Sequence, residues 1–316
     1  MKQEKFERRD SKLSAKSHNA YNKNYATSNG KGGKQGGSKF SKNTGSEVSA
    51  KKGLGQHFLV DLSVADAIGE ILPDNLDAVL EVGPGMGVLT RRLLPRYSTK
   101  LLCVELDRES IEYLSKQDWA AGLSVKYGDF LQLDFSQWIG SENTIASAKY
   151  ANGDPLSVAV IGNYPYNIST QIVFKVLECG YPIAYMAGMF QKEVAVRLCA
   201  GPGKKDYGIT SVLLQAYYDC EYLFDVADVC FQPPPKVTSG VMVAKRKSEL
   251  PMVDYELFKK VVKLAFSQRR KTLGNALKPL QGEKNSFQLM EKFSAKRAEQ
   301  LSVEDFIEIT NTWAKL

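Results

Sequence analysis

Residues 78–87 read Ala-Val-Leu-Glu-Val-Gly-Pro-Gly-Met-Gly. A short apolar run that leads into glycines is typical of a buried strand, a tight turn and the start of a helix. Glycine permits such a turn and lets a ligand approach the backbone closely. The turn alone is compatible with a dinucleotide, a nucleoside or no ligand. Because its spacing departs from G-x-G-x-x-G, and no G-x-x-x-x-G-K-[ST] occurs, a ligand without a pyrophosphate is favoured.

Similar apolar runs alternate with segments of helical period on both sides of this stretch, which indicates a parallel α/β sheet. The predicted strands are Ala78–Val82, Leu101–Glu105, Ser124–Tyr127, Ser157–Ile161, Ile183–Phe190, Glu221–Val229 and Val237–Lys245. The predicted helices between them include Val88–Leu94, Arg108–Lys116, Ser169–Glu178 and Lys192–Ala200. The polar segment 141–156 is predicted to be a surface loop.

Strand signals stop after Pro251, and the remaining pattern predicts helices at Tyr255–Ser267, Phe287–Phe293 and Val303–Trp313. The sequence therefore predicts an α/β protein with a Rossmann-like seven-stranded domain over residues 51–250. A small all-helical domain follows over residues 251–316.

The composition restricts the class of protein. No apolar run approaches the ~18–20 residues that a membrane span needs, and the polar N-terminus lacks the apolar stretch of a signal peptide, so we expect a cytoplasmic protein. Only two histidines occur and the five cysteines are scattered, which argues against a Ser-His-Asp triad or a metal site.

The net charge of +7 is carried by residues 1–50, which are rich in glycine, serine, asparagine and lysine. We expect this segment to be a disordered basic tail. It is either a solvated tail without a specific role or a polycationic arm that adds affinity for nucleic acid.

Acidic residues follow the next two predicted strands. Glu105 lies 18 residues beyond Gly87, a distance at which α/β nucleotide sites place a carboxylate on ribose hydroxyls. Asp129 and Phe130 follow the third strand and offer a carboxylate to an adenine amine and a ring to its face, although a solvated turn is the alternative for Asp129. Together with Gly83 and Gly85 of the turn, these residues form the set that an S-adenosylmethionine site needs.

The fourth predicted strand runs into Gly162-Asn163-Tyr164-Pro165-Tyr166, at the sheet edge where open α/β sheets bind ligands. An adenine amine is a poor nucleophile, because its lone pair is delocalised into the ring. The Asn163 side-chain oxygen and the Tyr164 carbonyl can accept its two N–H bonds and stabilise the charge that develops during methyl transfer. Pro165 stiffens the turn, and Tyr166 would stack on a base extruded from RNA. An ordinary turn is the alternative.

A second candidate wall for a base lies between the last two strands, in the segment 231–237. Phe231 could face the base opposite Tyr166, and Lys236 could lie near phosphate. A stiff hairpin connection without such a role is the alternative.

From Lys52 to the C-terminus the chain resembles the rRNA adenine N6,N6-dimethyltransferases of the kasugamycin-sensitivity type. The resemblance rests on Gly53 through Leu59, Glu81 through Gly87, Val104 through Asp107, Gly128-Asp129, Asn163 through Tyr166, Gln191 through Val194, Lys205 through Gly208, and Phe231 through Val237. It implies that the S-adenosylmethionine pocket is lined by His57, Leu59, Gly83, Glu105, Asp129 and Asn163. Two positions depart from the family, which usually has asparagine at position 57 and leucine at position 164.

The resemblance also extends to Phe266 through Leu273. Lys259–Lys278 contains seven Lys/Arg and no Asp/Glu, so we expect Arg269, Arg270 and Lys271 to contact RNA phosphates, with a plain solvated helix as the alternative.

The family's activity implies that the chain acts on two adjacent adenosines near the 3′ end of 16S rRNA, within a small-subunit assembly intermediate. We expect a monomer that uses no metal. The alternatives are 23S rRNA methylation of the macrolide-resistance type and a ribosome-assembly factor with incidental catalysis. DNA adenine methylation is disfavoured, because the part after Pro251 is small for a domain that reads duplex DNA.

Overall fold

The computed structural model describes residues 48–135, 156–283 and 289–315. Nearly all of the predicted basic tail and of the predicted loop 141–156 lies outside the described residues, and so does Phe287.

Nine strands are present in the described part of the chain. They are β1 (Phe58–Leu59), β2 (Ala78–Val82), β3 (Leu101–Glu105), β4 (Ser124–Tyr127), β5 (Val158–Asn163), β6 (Ile183–Gln191), β7 (Tyr218–Val226), β8 (Phe231–Gln232) and β9 (Ser239–Arg246). Seven of them form one sheet in the order β4-β3-β2-β5-β6-β9-β7. The seven-stranded sheet is thus confirmed, with the ends of the later strands shifted by a few residues.

The register of the sheet brings the candidate site together. The pairs β2–β3, β3–β4, β2–β5 and β5–β6 are parallel, so their carboxyl ends lie at one edge. Val82 is opposite Val104, and Glu105 is opposite Tyr127. Every residue of β2 and β3 is buried, which explains why their sequences are nearly continuous apolar runs.

Strands β1 and β8 form a separate antiparallel pair of two residues each, in which Phe58 is opposite Gln232 and Leu59 is opposite Phe231. Neither strand was predicted from the sequence. A two-residue strand is too short to show the alternation of apolar and polar residues by which strands are recognised.

The helices in the described residues are α1 (Leu62–Gly69), α2 (Thr90–Tyr97), α3 (Arg108–Ser115), α4 (Ser169–Glu178), α5 (Lys192–Cys199), α6 (Ile209–Gln215), α7 (Tyr255–Ser267), α8 (Leu273–Ala276), α9 (Lys278–Glu283), α10 (Glu291–Ser294) and α11 (Val303–Ala314). The predicted helix 88–94 begins two residues later, and the predicted helix 287–293 is wrong at residues 289–290, which precede the short α10. Several start at an acidic or hydroxyl cap that accepts from a first-turn N–H, as Asp107 does for α3 and Ser302 for α11.

The chain divides into two compact units. The first runs through Lys192 and includes Leu223–Val243, and its apolar core contains Val79, Cys103 and Ile161 from the central strands. The second comprises Glu193–Tyr222 and Ala244–Leu316. Helices α7, α6 and α11 pack on one another there, and the Phe266 ring contacts the rings of Tyr207 and Phe306.

The helical character of the residues after Pro251 is therefore confirmed. The division into a tail, a methyltransferase domain and an RNA-binding domain stays a prediction. Within the described residues, no helix has both the length and the apolar composition needed to cross a membrane.

Candidate active site

The glycine turn after β2 exposes bare main chain to a cleft. Gly83 and Gly85 have φ values of +66° and +54°, in the left-handed region that favours glycine. A Cβ added to Gly83 would meet no atom within 4 Å, whereas one added to Gly85 would come within 3.0 Å of the Phe58 ring. The turn thus leaves open space at Gly83 and closes against β1 at Gly85.

Glu105 ends β3 and is held by three main-chain donors. One carboxylate oxygen accepts from Gly85 N at 3.1 Å, and the other accepts from the N–H groups of Leu106 and Asp107, both at 2.8 Å. Burial raises the pKa of this carboxyl, although the three hydrogen bonds work in the opposite direction. A carboxylate has about four lone-pair directions, so one remains for a ligand hydroxyl.

Asp129 follows β4 and caps a short 3-10 turn over Phe130–Gln132. Its Oδ1 accepts from Leu131 N at 2.9 Å, so its carboxylate is fixed in direction. The Phe130 ring is 4% exposed and packs edge-on against Phe135. Both Asp129 and Phe130 line the cleft.

Residues 51–59, the β1 segment, line the cleft from Gly53 to Leu59 and are anchored at Asp107. The fully buried Asp107 carboxylate accepts from Lys51 Nζ at 2.5 Å and from Gln56 Nε2 at 3.2 Å. It also accepts from Ser110 Oγ at 3.1 Å. Burial by itself would raise the pKa of Asp107, but these hydrogen bonds outweigh burial and lower it.

Asn163 lies at the end of β5, and its amide is oriented by the β1 segment. Its Nδ2 donates to the main-chain oxygen of His57 at 2.9 Å. A carbonyl oxygen can only accept, so the NH2 end of the amide must face it and Oδ1 points elsewhere.

The Tyr166 hydroxyl shares a hydrogen bond with Ser239 Oγ, and burial raises the pKa of that phenol.

The Tyr164 side chain belongs to the core. It is 1% exposed, its hydroxyl donates to Ala187 O at 2.8 Å, and its ring packs on Phe190. Room for the ring is made by Gly188, where an added Cβ would lie 2.9 Å from the Tyr164 ring and 2.1 Å from Gly162 O. Only the backbone of Tyr164 is therefore left for chemistry in the cleft.

These residues share one cleft with about 1270 Å³ of empty space, open mouth included. Its lining includes His57, Leu59, Gly83, Gly85, Glu105, Asp129, Asn163, Pro165 and Tyr166. All of the predicted cofactor residues are thus brought together in one unit.

The residues that line the cleft fit a nucleoside ligand. The bare backbone at Gly83 and the carboxylates of Glu105 and Asp129 stand at three successive strand ends. Such an arrangement offers a close backbone approach and acceptors for hydroxyl and amine groups.

Other predicted site residues lie elsewhere. Phe231 is 3% exposed within the core of the first unit and is absent from the described lining of the cleft, so its role as a base wall stays a prediction. Lys236 is exposed. Arg270 and Lys271, in the second unit, are exposed and have no ion pair within the described ranges.

Arg269 is engaged within the second unit. Its guanidinium donates to the main-chain oxygens of Lys205 and Tyr207 and pairs with Glu299 at 3.3 Å. The structure thus gives Arg269 a local structural role that the sequence analysis did not foresee.

Three residues of the site were not singled out from the sequence. Lys51 and Asp107 form the anchor of the β1 segment, and the only local signal was the acid at the predicted start of a helix. Glu81 is 1% exposed and lines the cleft, and burial raises its pKa to about 8. An acid within an apolar strand was the available signal for Glu81.

Comparison with known proteins agrees with this geometry. A family model described as Ribosomal RNA adenine dimethylase matches residues 47–315. The chain is 49% identical over 269 residues to a Ribosomal RNA small subunit methyltransferase A of Cytophaga hutchinsonii, covering 84% of this chain and 97% of that protein. A Parabacteroides distasonis protein of the same name is 49% identical over 266 residues, covering 83% and 93%.

Solved structures share the fold. A dimethyladenosine transferase from Plasmodium falciparum superposes with a TM-score of 0.64 at 22% identity, covering 82% of this chain and 98% of that one. The 23S rRNA methyltransferase ErmE does so with a TM-score of 0.58 at 22% identity, covering 81% and 99%. With the sequence match spanning nearly all of the described residues, the chain belongs to the ribosomal RNA adenine dimethylase family.

Proposed function

We propose that this protein transfers methyl groups from S-adenosylmethionine to the N6 amines of two adjacent adenosines near the 3′ end of 16S rRNA, giving N6,N6-dimethyladenosine. The observation that carries the proposal is the fixed Asn163 amide, which lines the same cleft as Glu105 and Asp129 and whose Oδ1 accepts no hydrogen bond from the described residues. Two relatives that are 49% identical over 269 and 266 residues are named small-subunit methyltransferases, which supports the choice of rRNA.

The residues that would hold the cofactor are those at the strand ends. Glu105 would accept from ribose hydroxyls, Asp129 from the adenine amine, and the bare backbone at Gly83 would allow close approach. Leu59, Gly85 and His57 complete this side of the cleft. When bound, the sulfonium supplies an electrophilic methyl group.

The acceptor amine is activated by hydrogen-bond acceptors. Asn163 Oδ1 and the Tyr164 carbonyl would take the two N–H bonds of the target adenine, which localises the nitrogen lone pair and stabilises the positive charge that develops. Tyr166 would stack on the extruded base. In-line methyl transfer to this amine requires alignment of the nitrogen with the methyl group and acceptors for the two N–H bonds. It requires neither a metal nor a strong general base.

Exposed cations of each unit would contact the RNA. Lys236, Arg270 and Lys271 are available for phosphates, whereas Arg269 is already engaged with Glu299. We propose a monomer that acts in the cytoplasm on a small-subunit assembly intermediate.

The test is methylation of small subunits from a strain that lacks this gene, followed by mass spectrometry of the rRNA nucleosides. We expect the purified chain to produce dimethyladenosine. Asn163→Ala should lower kcat by about 10²–10³-fold, the loss typical of an acceptor that acts in the transition state. Asn311→Ala is the matched control, because its side chain bonds only to Met252 O at the surface among the described residues. Unchanged dimethyladenosine with and without the gene would overturn the proposal.

Two alternatives are separated by the same material. Methylation of 23S rRNA would appear when each subunit's RNA is digested separately. A chiefly structural role in assembly predicts that Asn163→Ala fully rescues the growth of the deletion strain without restoring dimethyladenosine.

A further inference from the structure

His57 contacts three residues, Asn163, Pro233 and Tyr166, through its backbone and its ring. Its main-chain oxygen accepts from Asn163 Nδ2 at 2.9 Å. Because this bond uses the backbone of residue 57, the amide of Asn163 is oriented by the path of the β1 segment. The His57 side chain is left for another task.

The imidazole of His57 is fixed by a carbonyl. Its Nδ1 lies 2.9 Å from the main-chain oxygen of Pro233. A carbonyl can only accept, so this contact requires the proton on Nδ1. Since Phe58 is opposite Gln232 in the β1–β8 pair, His57 and Pro233 are next in register, and the ring hydrogen bond joins them just beyond the end of this pair.

The same ring supports the base-stacking residue. The centroids of the His57 and Tyr166 rings are 5.5 Å apart and the ring planes differ by 27°, a stacked arrangement. The other end of Tyr166 is held by Ser239 through its hydroxyl. Tyr166 is therefore restrained on one face by His57 and at its tip by Ser239.

We propose that His57 is a positioning residue for the acceptor base, whose ring fixes Tyr166 against the Pro233 turn while its backbone orients Asn163. This proposal rests on the proposed function, since it assigns Tyr166 and Asn163 to the target adenine. It differs from a role in which the imidazole chiefly increases affinity for the cofactor. The family's usual asparagine could donate to Pro233 but offers no ring to Tyr166.

A spectroscopic test needs no methylation. The chain has only two histidines, so His18→Ala leaves His57 as the single imidazole. Proton–nitrogen correlation spectra of the ¹⁵N-histidine protein in alkaline buffer report which ring nitrogen carries the proton. We expect the Nδ1–H form to dominate in the cofactor-free protein. A dominant Nε2–H form would contradict the proposed bond to Pro233 and overturn the proposal.

Three variants separate the ring from its donor. His57→Phe keeps a ring without a donor, His57→Asn keeps a donor without a ring, and His57→Ala keeps neither. We expect kcat/KM for the small subunit to fall about fivefold in each of the first two and roughly 25-fold in His57→Ala, because one hydrogen bond and one aromatic contact are each worth a few-fold. The share of monomethylated product should rise, since each adenine must be held for two transfers.

Kinetics at saturating S-adenosylmethionine provide the discriminating readout. Because His57 also lines the cofactor side of the cleft, we expect all three variants to lose some cofactor affinity, so calorimetry is used to set the saturating concentration. We expect the losses of about fivefold and roughly 25-fold in kcat/KM for the small subunit to persist at saturating cofactor. Wild-type kcat/KM in all three variants under that condition would overturn the proposal. If the proposed function fails, the wild-type protein produces no dimethyladenosine, whereas the tautomer still reports on the ring.

Discussion

Substitution of Asp107 by alanine should loosen the β1 segment and weaken cofactor binding. The fully buried carboxylate caps α3 at Glu109 N and accepts from Gln56 Nε2 and Ser110 Oγ. Loss of a cap costs about 1 kcal/mol, and each of the two side-chain hydrogen bonds contributes about 1 kcal/mol. We therefore expect a destabilisation of about 3 kcal/mol, or a fall of roughly 6–12 °C in Tm.

The binding effect follows from the same anchor. Residues 53–59 line the cleft. When Lys51 and Gln56 lose their hydrogen bonds to Asp107, the β1 segment gains conformational entropy, and cofactor binding must order this segment again. We expect calorimetry to show S-adenosylmethionine affinity reduced about tenfold, equivalent to about 1.4 kcal/mol. Asp107→Asn, which retains an acceptor for the cap, should lose less stability than Asp107→Ala.

The control is Glu112→Gln, which removes an exposed pair with Lys116 on the same helix and should leave both Tm and affinity unchanged. A fall in Tm with wild-type cofactor affinity would refute the link between Asp107 and the cleft, although the cap of α3 would stand. Wild-type Tm would refute the burial argument itself.

Three further outcomes follow from the described contacts. The folded state raises the pKa of Glu81 from 4.5 to about 8, so the folded protein binds more protons than the unfolded chain between these pH values. The free energy of unfolding should therefore fall by up to about 5 kcal/mol as the pH rises through this range. Glu81→Gln should remove this loss in denaturant titrations at pH 5 and pH 9, and an equal pH dependence of the two proteins would contradict the prediction. Gly188→Ala should destabilise the protein by about 3 kcal/mol or more, because the added Cβ would lie 2.1 Å from Gly162 O. A Tm within about 2 °C of wild type, which corresponds to a loss on the order of 1 kcal/mol or less, would be incompatible with that overlap. Arg269→Ala should lower the free energy of unfolding by about 1 kcal/mol and expose Tyr207 to chymotrypsin, whereas Arg270→Ala should do neither. Equal digestion of the two variants would show that Arg269 does not hold the segment from Lys205 to Tyr207 in place.

The seven-stranded sheet, and the meeting of the predicted cofactor residues at one edge of it, can be predicted from the sequence. Gly83, Glu105 and Asn163 lie at or just beyond the ends of buried, mainly apolar strands. Asp129 lies two residues beyond the more exposed β4, and the carboxyl ends of parallel strands must meet at one edge. The pattern of residues along each strand is therefore sufficient to predict that these four residues lie close together.

The contacts that orient these groups join residues far apart in the sequence. His57 lies 176 residues from Pro233, and Lys51 lies 56 residues from Asp107, so no periodicity in the sequence links either pair. The burial of Tyr164 depends on the space above Gly188 on the neighbouring strand β6, which a pattern along β5 does not contain. The physical reason is that local periodicity reports which face of an element is buried, whereas side-chain partners are set by packing between elements distant in the chain.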